Sequence, residues 1–286
     1  MNLPERFPLD QNQYRLVDFG GNEKLEMFGG TIVRRETPSA AGVKASAADW
    51  SSAQLSYRSK QNNSSWVGDA DDDWHLKFGQ SRFSLRTTPT GQVGLFPEQA
   101  INWSWIDQLP IDLSGSKALN LFAYTGGTTL ALAHRGAEVV HCDAAKSVVN
   151  WARKNAASSG LEQAPIRWIV EDALTFVGRE IKRGNRYQIV VADPPSFGRG
   201  PGGESWKMKR DFQRLVDGLS QLTGDETQMI LISCHTPEFS HNDLKSSVSG
   251  SFRLGGNPGE SFELTIPASN GKSLVSGQCF RWFENS

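Results

Sequence analysis

Residues 118–128 read Ala118-Leu119-Asn120-Leu121-Phe122-Ala123-Tyr124-Thr125-Gly126-Gly127-Thr128, a short apolar run closing in a paired-glycine turn. Glycines there let backbone approach a ligand at the N-terminus of a following helix, where unpaired N–H groups favour negative charge. The same rhythm recurs outward from this point. Apolar runs at 138–142, 166–170, 188–192 and 229–233 are each a few residues long and alternate with helical segments, as buried parallel strands do. A helix is predicted over 144–159, where Val148, Trp151, Ala152 and Asn155 share one face and Gly160 stands at the C-terminal cap. Phe262, Leu264 and Ile266, followed by residues 279–283, read as a closing antiparallel pair. The fold class is α/β, a parallel sheet covered by helices on both faces.

Residues 1–110 have a different texture. Five of the nine tryptophans lie there, and apolar residues alternate with polar ones at period two. Trp74, Leu76 and Phe78, a Gly79-Gln80 turn, then Phe83 and Leu85 predict a hairpin. The stretch from about 38 to 65, rich in Ala, Ser, Gly and Asn, reads as a mobile excursion with one short helix. The expected partition is therefore a β-rich module over 1–110 and an α/β domain over 111–286.

With 286 residues, the chain is long enough to bury a sizeable core. Thirty Lys and Arg against 31 Asp and Glu leave a net charge of -1, so no global field draws it to nucleic acid or membrane and any such contact must be local. Three cysteines at distant positions predict neither a disulfide framework nor a zinc ribbon, and a reduced, cytoplasmic protein is expected. No apolar signal core or membrane-length apolar run is visible, and the five histidines lack metal-ligand spacing, so no metal is expected. Asp69-Ala70-Asp71-Asp72-Asp73 lacks the glycine and distal Glu of a calcium loop.

In an open α/β sheet, ligands bind beyond the carboxyl ends of the strands. The glycines of 120–128 do not fit Gly-x-Gly-x-x-Gly, which weighs against a nicotinamide dinucleotide. Asp143 ends the second strand, where an acid accepts hydrogen bonds from both hydroxyls of a ribose. Glu171-Asp172-Ala173 ends the third, where a carboxylate can take an adenine amine proton, although a helix N-cap is the commoner fate of such an Asp. Asp193-Pro194-Pro195-Ser196-Phe197-Gly198 ends the fourth in a rigid turn suited to holding a planar ring, with Phe197 available for stacking. Beyond it, Arg199, Lys207, Lys209, Arg210 and Arg214 outnumber Glu204 and Asp211. Trp206 among them is either a stacking surface for an extruded base or a packing anchor. Cys234, in Ser233-Cys234-His235-Thr236, is either a nucleophile activated by its surroundings or a small buried hydrophobe.

Tyr124-Thr125-Gly126-Gly127, Asp143, Glu171-Asp172 and Asp193-Pro194-Pro195-Ser196-Phe197 together resemble class I S-adenosylmethionine-dependent methyltransferases. Within these, the chain is most similar to the large-subunit (23S) ribosomal RNA methyltransferase I and K family, with Gly91-Gln92-Val93-Gly94-Leu95-Phe96-Pro97-Glu98-Gln99 resembling the motif that precedes the cofactor domain. The opening 14–29 is similar to a short form without the N-terminal RNA-binding module. The chain departs from the pattern at residues 100–103, where arginines are usual, and at Ser196, where lysine is common.

The resemblance implies a Rossmann-like, seven-stranded sheet and methyl transfer from S-adenosylmethionine, with S-adenosylhomocysteine as product. It implies that Phe122, Ala123, Tyr124, Thr125, Gly126 and Gly127 hold the methionine part of the cofactor. Asp143 with Ala144 would hold ribose and Asp172 with Ala173 adenine, with Asp193 and Gln99 completing the set. Asp193, Pro194 and Pro195 would position the acceptor, and Cys234 matches relatives that methylate cytosine at carbon 5. Ser196, Phe197, Trp206, Lys207, Lys209 and Arg210 are the expected contacts to a ribosomal RNA substrate. A methyltransferase acting on a small molecule or protein, and a non-catalytic nucleotide- or RNA-binding protein, are the alternatives.

Overall fold

The computed structural model describes residues 7–44, 50–58 and 65–284. The chain divides into two compact units, residues 1–104 with 265–276, and residues 105–264 with 277–286. The boundary thus falls near 104 rather than 110, and a segment from the far end of the sequence returns to the first unit.

In the first unit, β1 (Tyr14–Gly20), β2 (Glu23–Phe28), β3 (Thr31–Glu36), β4 (Leu55–Arg58) and β5 (Ser65–Val67) form a sheet in that order. β1, β2 and β3 are an antiparallel meander, whereas β4 joins β3 in parallel. Part of the stretch read as a mobile excursion is therefore a strand. Leu55 and Tyr57 alternate inward with Ser56 and Arg58, and Trp50 is buried with its indole N–H on Asp18 at 2.8 Å. Residues 45–49 and 59–64 of that stretch lie outside the described residues. β6 (His75–Phe78) and β7 (Ser81–Ser84) form the expected hairpin. Gly29, at φ +52°, is required: a Cβ there would sit 2.0 Å from the His75 carbonyl oxygen.

A buried ionic cluster lies in this sheet. The Glu26 carboxylate accepts from Tyr14 Oη at 3.0 Å, from Arg35 at 2.6 and 3.0 Å, and pairs with Lys24 at 3.1 Å. Arg35 also donates to the carbonyl of Gly91 and to Gln92 Oε1, which fastens the start of the 91–99 segment. The returning segment 265–276 meets β1: the Ser269 N–H donates to the Leu16 carbonyl at 2.9 Å and Asn270 Nδ2 to Asp18 Oδ1 at 2.6 Å.

The second unit carries β8 (Lys117–Leu121), β9 (Glu138–Asp143), β10 (Ile166–Val170), β11 (Ile189–Ala192), β14 (Met229–Cys234) and parts of β15 (Glu260–Pro267) and β16 (Ser273–Phe283). The seven strands run β10-β9-β8-β11-β14-β16-β15, parallel from β10 to β14, with β16 antiparallel to β14. Alternation along these strands builds two cores. Leu119, Leu121, Val190, Ile230, Ile232 and Cys234 face one side, and Ala118, Val139, Ile189, Val191, Met229 and Leu231 the other. Helices Gly127–His134, Lys146–Ser158, Ala173–Lys182, Met208–Ser220 and His241–Ser251 complete the unit. Burying each such aliphatic side chain contributes about 1.5–3 kcal/mol. The strand order reverses between β8 and β11, which opens a crevice at the carboxyl ends of the strands.

Candidate active site

At that crevice the turn after β8 is built from alternating left-handed residues: Phe122 at φ +53°, Tyr124 at +48° and Gly126 at +93°. A non-glycine residue held there costs about 1–3 kcal/mol, and such strain concentrates at functional sites. Sequence reading placed the tight approach at the glycine pair, but Gly127 is simply the first residue of the helix. Gly126 is the constrained one, since a Cβ would meet Leu130 at 3.1 Å and Ala152 at 3.2 Å. The turn is braced from below by a buried chain that sequence reading missed. Thr129 Oγ1 accepts from Asn120 Nδ2 at 2.9 Å and meets His141 Nδ1 at 2.9 Å, and burial, then Arg153, drives His141 down to about 3, so it is neutral.

Asp143 sits at the end of β9. Its Oδ2 accepts from the Tyr124 N–H at 2.9 Å and its Oδ1 from the Ala145 N–H at 3.0 Å. Burial raises its pKa above the usual carboxylate range, against the lowering effect of these N–H groups and that of Ala144. The Ala123 N–H donates to the Cys142 carbonyl, and the Thr125 carbonyl accepts from Asn155. Asp172 is an N-cap, its Oδ1 accepting from the Thr175 N–H at 2.9 Å at the start of the helix that opens with buried Ala173. Neighbouring Glu171 pairs with Arg179. Gln99, in the first unit, is buried and accepts from Asn102 Nδ2 at 2.7 Å.

Asp193 follows β11. Its Oδ1 accepts from Ser233 Oγ at 2.7 Å and meets His235 Nε2 at 3.1 Å, a group that sequence reading had considered only as a neighbour of Cys234. The following Pro194-Pro195 turn leads into a short hairpin of β12 (Phe197–Arg199) and β13 (Ser205–Lys207), so the glycine-rich loop between them has paired ends. Phe197 is 76% exposed. Ser196 Oγ lies 2.9 Å from Thr236 Oγ1.

Three expected roles change in the structure. Trp206 is 4% exposed, packs its ring 5.0 Å from Phe122 and donates its indole N–H to the Pro195 carbonyl, so it is the packing anchor and not an open stacking surface. Cys234 is fully buried on the core face of β14, and burial pushes its thiol up to about 11. Strand alternation sends it away from Asp193, toward which Ser233 points. Arg210 is bound to Asp211 at 2.7 and 2.8 Å and pins the start of its helix, while Lys207 and Lys209 stay exposed, the latter 3.8 Å from Glu238.

The family described as S-adenosylmethionine-dependent methyltransferase matches residues 20–245 of this chain. Ribosomal RNA large subunit methyltransferase K/L of Shewanella frigidimarina is 30% identical over 152 residues, 52% of this chain and 21% of that protein. Ribosomal RNA large subunit methyltransferase K of Neisseria meningitidis serogroup B is 26% identical over 184 residues, 63% of this chain and 50% of that protein. The chain therefore spans between a fifth and a half of the length of these curated relatives. The crystal structure of the S-adenosylmethionine-dependent methyltransferase from Agrobacterium tumefaciens superposes with a TM-score of 0.86 at 31% identity, covering 96% of this chain and 91% of that one. Sheet order, the row of strand-end acids and these likenesses agree: the chain belongs to the S-adenosylmethionine-dependent methyltransferase family.

Proposed function

We propose that this chain transfers a methyl group from S-adenosylmethionine to a base of large-subunit ribosomal RNA. The cofactor reading is supported by Asp143, a half-buried carboxylate aimed by backbone N–H groups beside a left-handed turn in which a Cβ at Gly126 would crowd Leu130 and Ala152. When bound, the cofactor supplies an electrophilic methyl on a sulfonium and leaves as S-adenosylhomocysteine. Asp143, beside Ala144, accepts from the ribose hydroxyls, and Asp172, beside Ala173, accepts from the adenine amine. The turn from Phe122 to Gly127 holds the methionine part.

The observation that carries the acceptor reading is Phe197, a phenylalanine 76% exposed immediately after Asp193-Pro194-Pro195-Ser196. Splayed RNA bases are recognised by stacking on such rings and by hydrogen bonds at their edges. The names of the curated relatives point the same way. A ribosomal substrate places this work in the cytoplasm. Among the described residues, no helix is long and apolar enough to cross a membrane.

Attack through cytosine carbon 5 needs a thiolate to add to the ring first. With Cys234 buried and its thiol at about 11, the reading moves to an acceptor nitrogen, whose own lone pair attacks. Cys234→Ala is accordingly expected to keep methyl transfer to unmodified ribosomal RNA within a few-fold of wild type, at a stability cost of about 1 kcal/mol. Radiolabel transfer and thermal melting measure the two. Loss of transfer with cofactor binding intact would reinstate the thiol as nucleophile.

The double change Lys207→Ala, Lys209→Ala is expected to weaken RNA association and make its log–log salt dependence shallower by about 1–1.5. Filter binding across a salt series reads this directly, and an unchanged slope would count against RNA at this face. A small-molecule or protein acceptor is the second reading. It is favoured by the net charge of -1 and by the engagement of Arg210 with Asp211.

A further inference from the structure

The turn that carries Asp193 is gripped at both ends by one short segment. Ser233 and His235 converge on Asp193 Oδ1 at 2.7 and 3.1 Å, and Thr236 holds Ser196 at 2.9 Å. We propose that His235 is a positioning residue for Asp193: with Ser233 it locks the carboxylate in one orientation, so that the acceptor base is engaged through an N–H donor on its edge. This rests on the RNA methylation reading above.

An ionised carboxylate only accepts hydrogen bonds, so the proton lies on Nε2 of the ring. Rotation of a carboxylate about its terminal bond is otherwise broad, and two donors on a single oxygen narrow it. The side chains of His235 and Asp193 are 24% and 25% exposed, sunk enough to be ordered and open enough for the carboxylate to meet an acceptor. The ring also has a dedicated seat. A Cβ at Gly277, on the neighbouring strand β16, would lie 2.7 Å from His235 Nδ1 and 2.8 Å from the Cys234 carbonyl oxygen, so glycine there keeps the place clear.

The test compares wild type with His235→Leu and His235→Gln. His235→Leu is expected to lower kcat for methyl transfer to unmodified ribosomal RNA on the order of 10²-fold, the scale of an ångström-sized misplacement. Its Kd for S-adenosylmethionine, by calorimetry, should rise far less than kcat falls, and its circular dichroism spectrum should match wild type. His235→Gln should restore most of the rate, because its amide N–H reaches the same carboxylate oxygen. A His235→Leu enzyme as fast as wild type overturns the proposal, as does a Gln variant as slow as Leu, which would assign the ring a proton-transfer role. Nitrogen-15 NMR of the imidazole gives an arm independent of RNA. A protonated Nε2 whose shift moves in Asp193→Asn supports the pairing, and an unprotonated Nε2 overturns it. If wild type labels no RNA, the RNA methylation reading fails by that result alone, while the imidazole spectrum still decides the pairing.

Discussion

Replacing Asp143 by alanine is expected to weaken S-adenosylmethionine binding on the order of 10²-fold or more. Hydrogen bonds to a charged acceptor contribute about 1.5–3 kcal/mol each, and a ribose offers two hydroxyls to this carboxylate. The loss extends beyond the ligand, because Tyr124 and Ala145 would lose the acceptor of their N–H groups and the left-handed turn its brace. Calorimetric titration measures the affinity. Binding within about threefold of wild type would remove Asp143 from the cofactor site, since it corresponds to only ~0.7 kcal/mol. The same substitution has a signature without ligand. Burial holds the Asp143 carboxyl above its ordinary pKa, so the folded protein binds that proton more tightly than the unfolded chain does. Its contribution to stability is therefore most favourable at acid pH and falls as pH rises through the folded pKa. Melting of wild type against Asp143→Ala across that range should show the difference shrinking with rising pH.

Glu26→Ala is expected to cost the first unit about 3–5 kcal/mol, the scale of leaving a buried charge without its partner. Arg35 is 3% exposed and, among the described residues, would keep the Gly91 carbonyl and Gln92 as its acceptors. Burial pushes the Glu26 carboxyl up, but Arg35 and Lys24 with their hydrogen bonds outweigh it and hold the pKa below the usual carboxylate range. The sign is opposite to that of Asp143. Glu26 stabilises fully above the unfolded value and loses that contribution as pH falls through its folded pKa. Urea unfolding followed by tryptophan fluorescence measures the change, with Trp50, Trp66, Trp74 and Trp103 in the first unit and the other five tryptophans reporting the second. A midpoint shifted by less than the equivalent of about 1 kcal/mol would mean that the cluster contributes no more than an exposed pair.

The strands of the catalytic unit were legible because parallel strands covered on both faces are largely apolar runs, and all five predicted runs are strands, although the edge strand β10 is only partly buried. Their ends were less so. Phe122 and Ala123 continue the apolar run of β8 but leave the ladder, because backbone handedness at Phe122 leaves no trace in hydropathy. Asp143, Asp172 and Asp193 were readable as strand-end acids, since position in an α/β sheet predicts where ligands go. His235 was hidden because its partner lies 42 residues away in sequence, and only the register of β14 decides that Ser233 and not Cys234 faces Asp193. Trp206 was ambiguous because exposure depends on how the hairpin of β12 and β13 folds back over Phe122. β4 was missed in a polar stretch although Leu55-Ser56-Tyr57-Arg58 carries a period-two pattern, too short to stand out among its neighbours.

The return of residues 265–276 to β1 has a consequence for the making of the protein. Asn270 and Asp18 are 252 positions apart, so during translation at about 5–20 residues per second the partner of a nascent β1 emerges roughly 10–50 s after it. β1 is the edge strand of its sheet, and for that interval the Leu16 carbonyl and Asp18 lack the partners that Ser269 and Asn270 later supply. The last contacts of the first unit therefore close only after nearly the whole chain has been made.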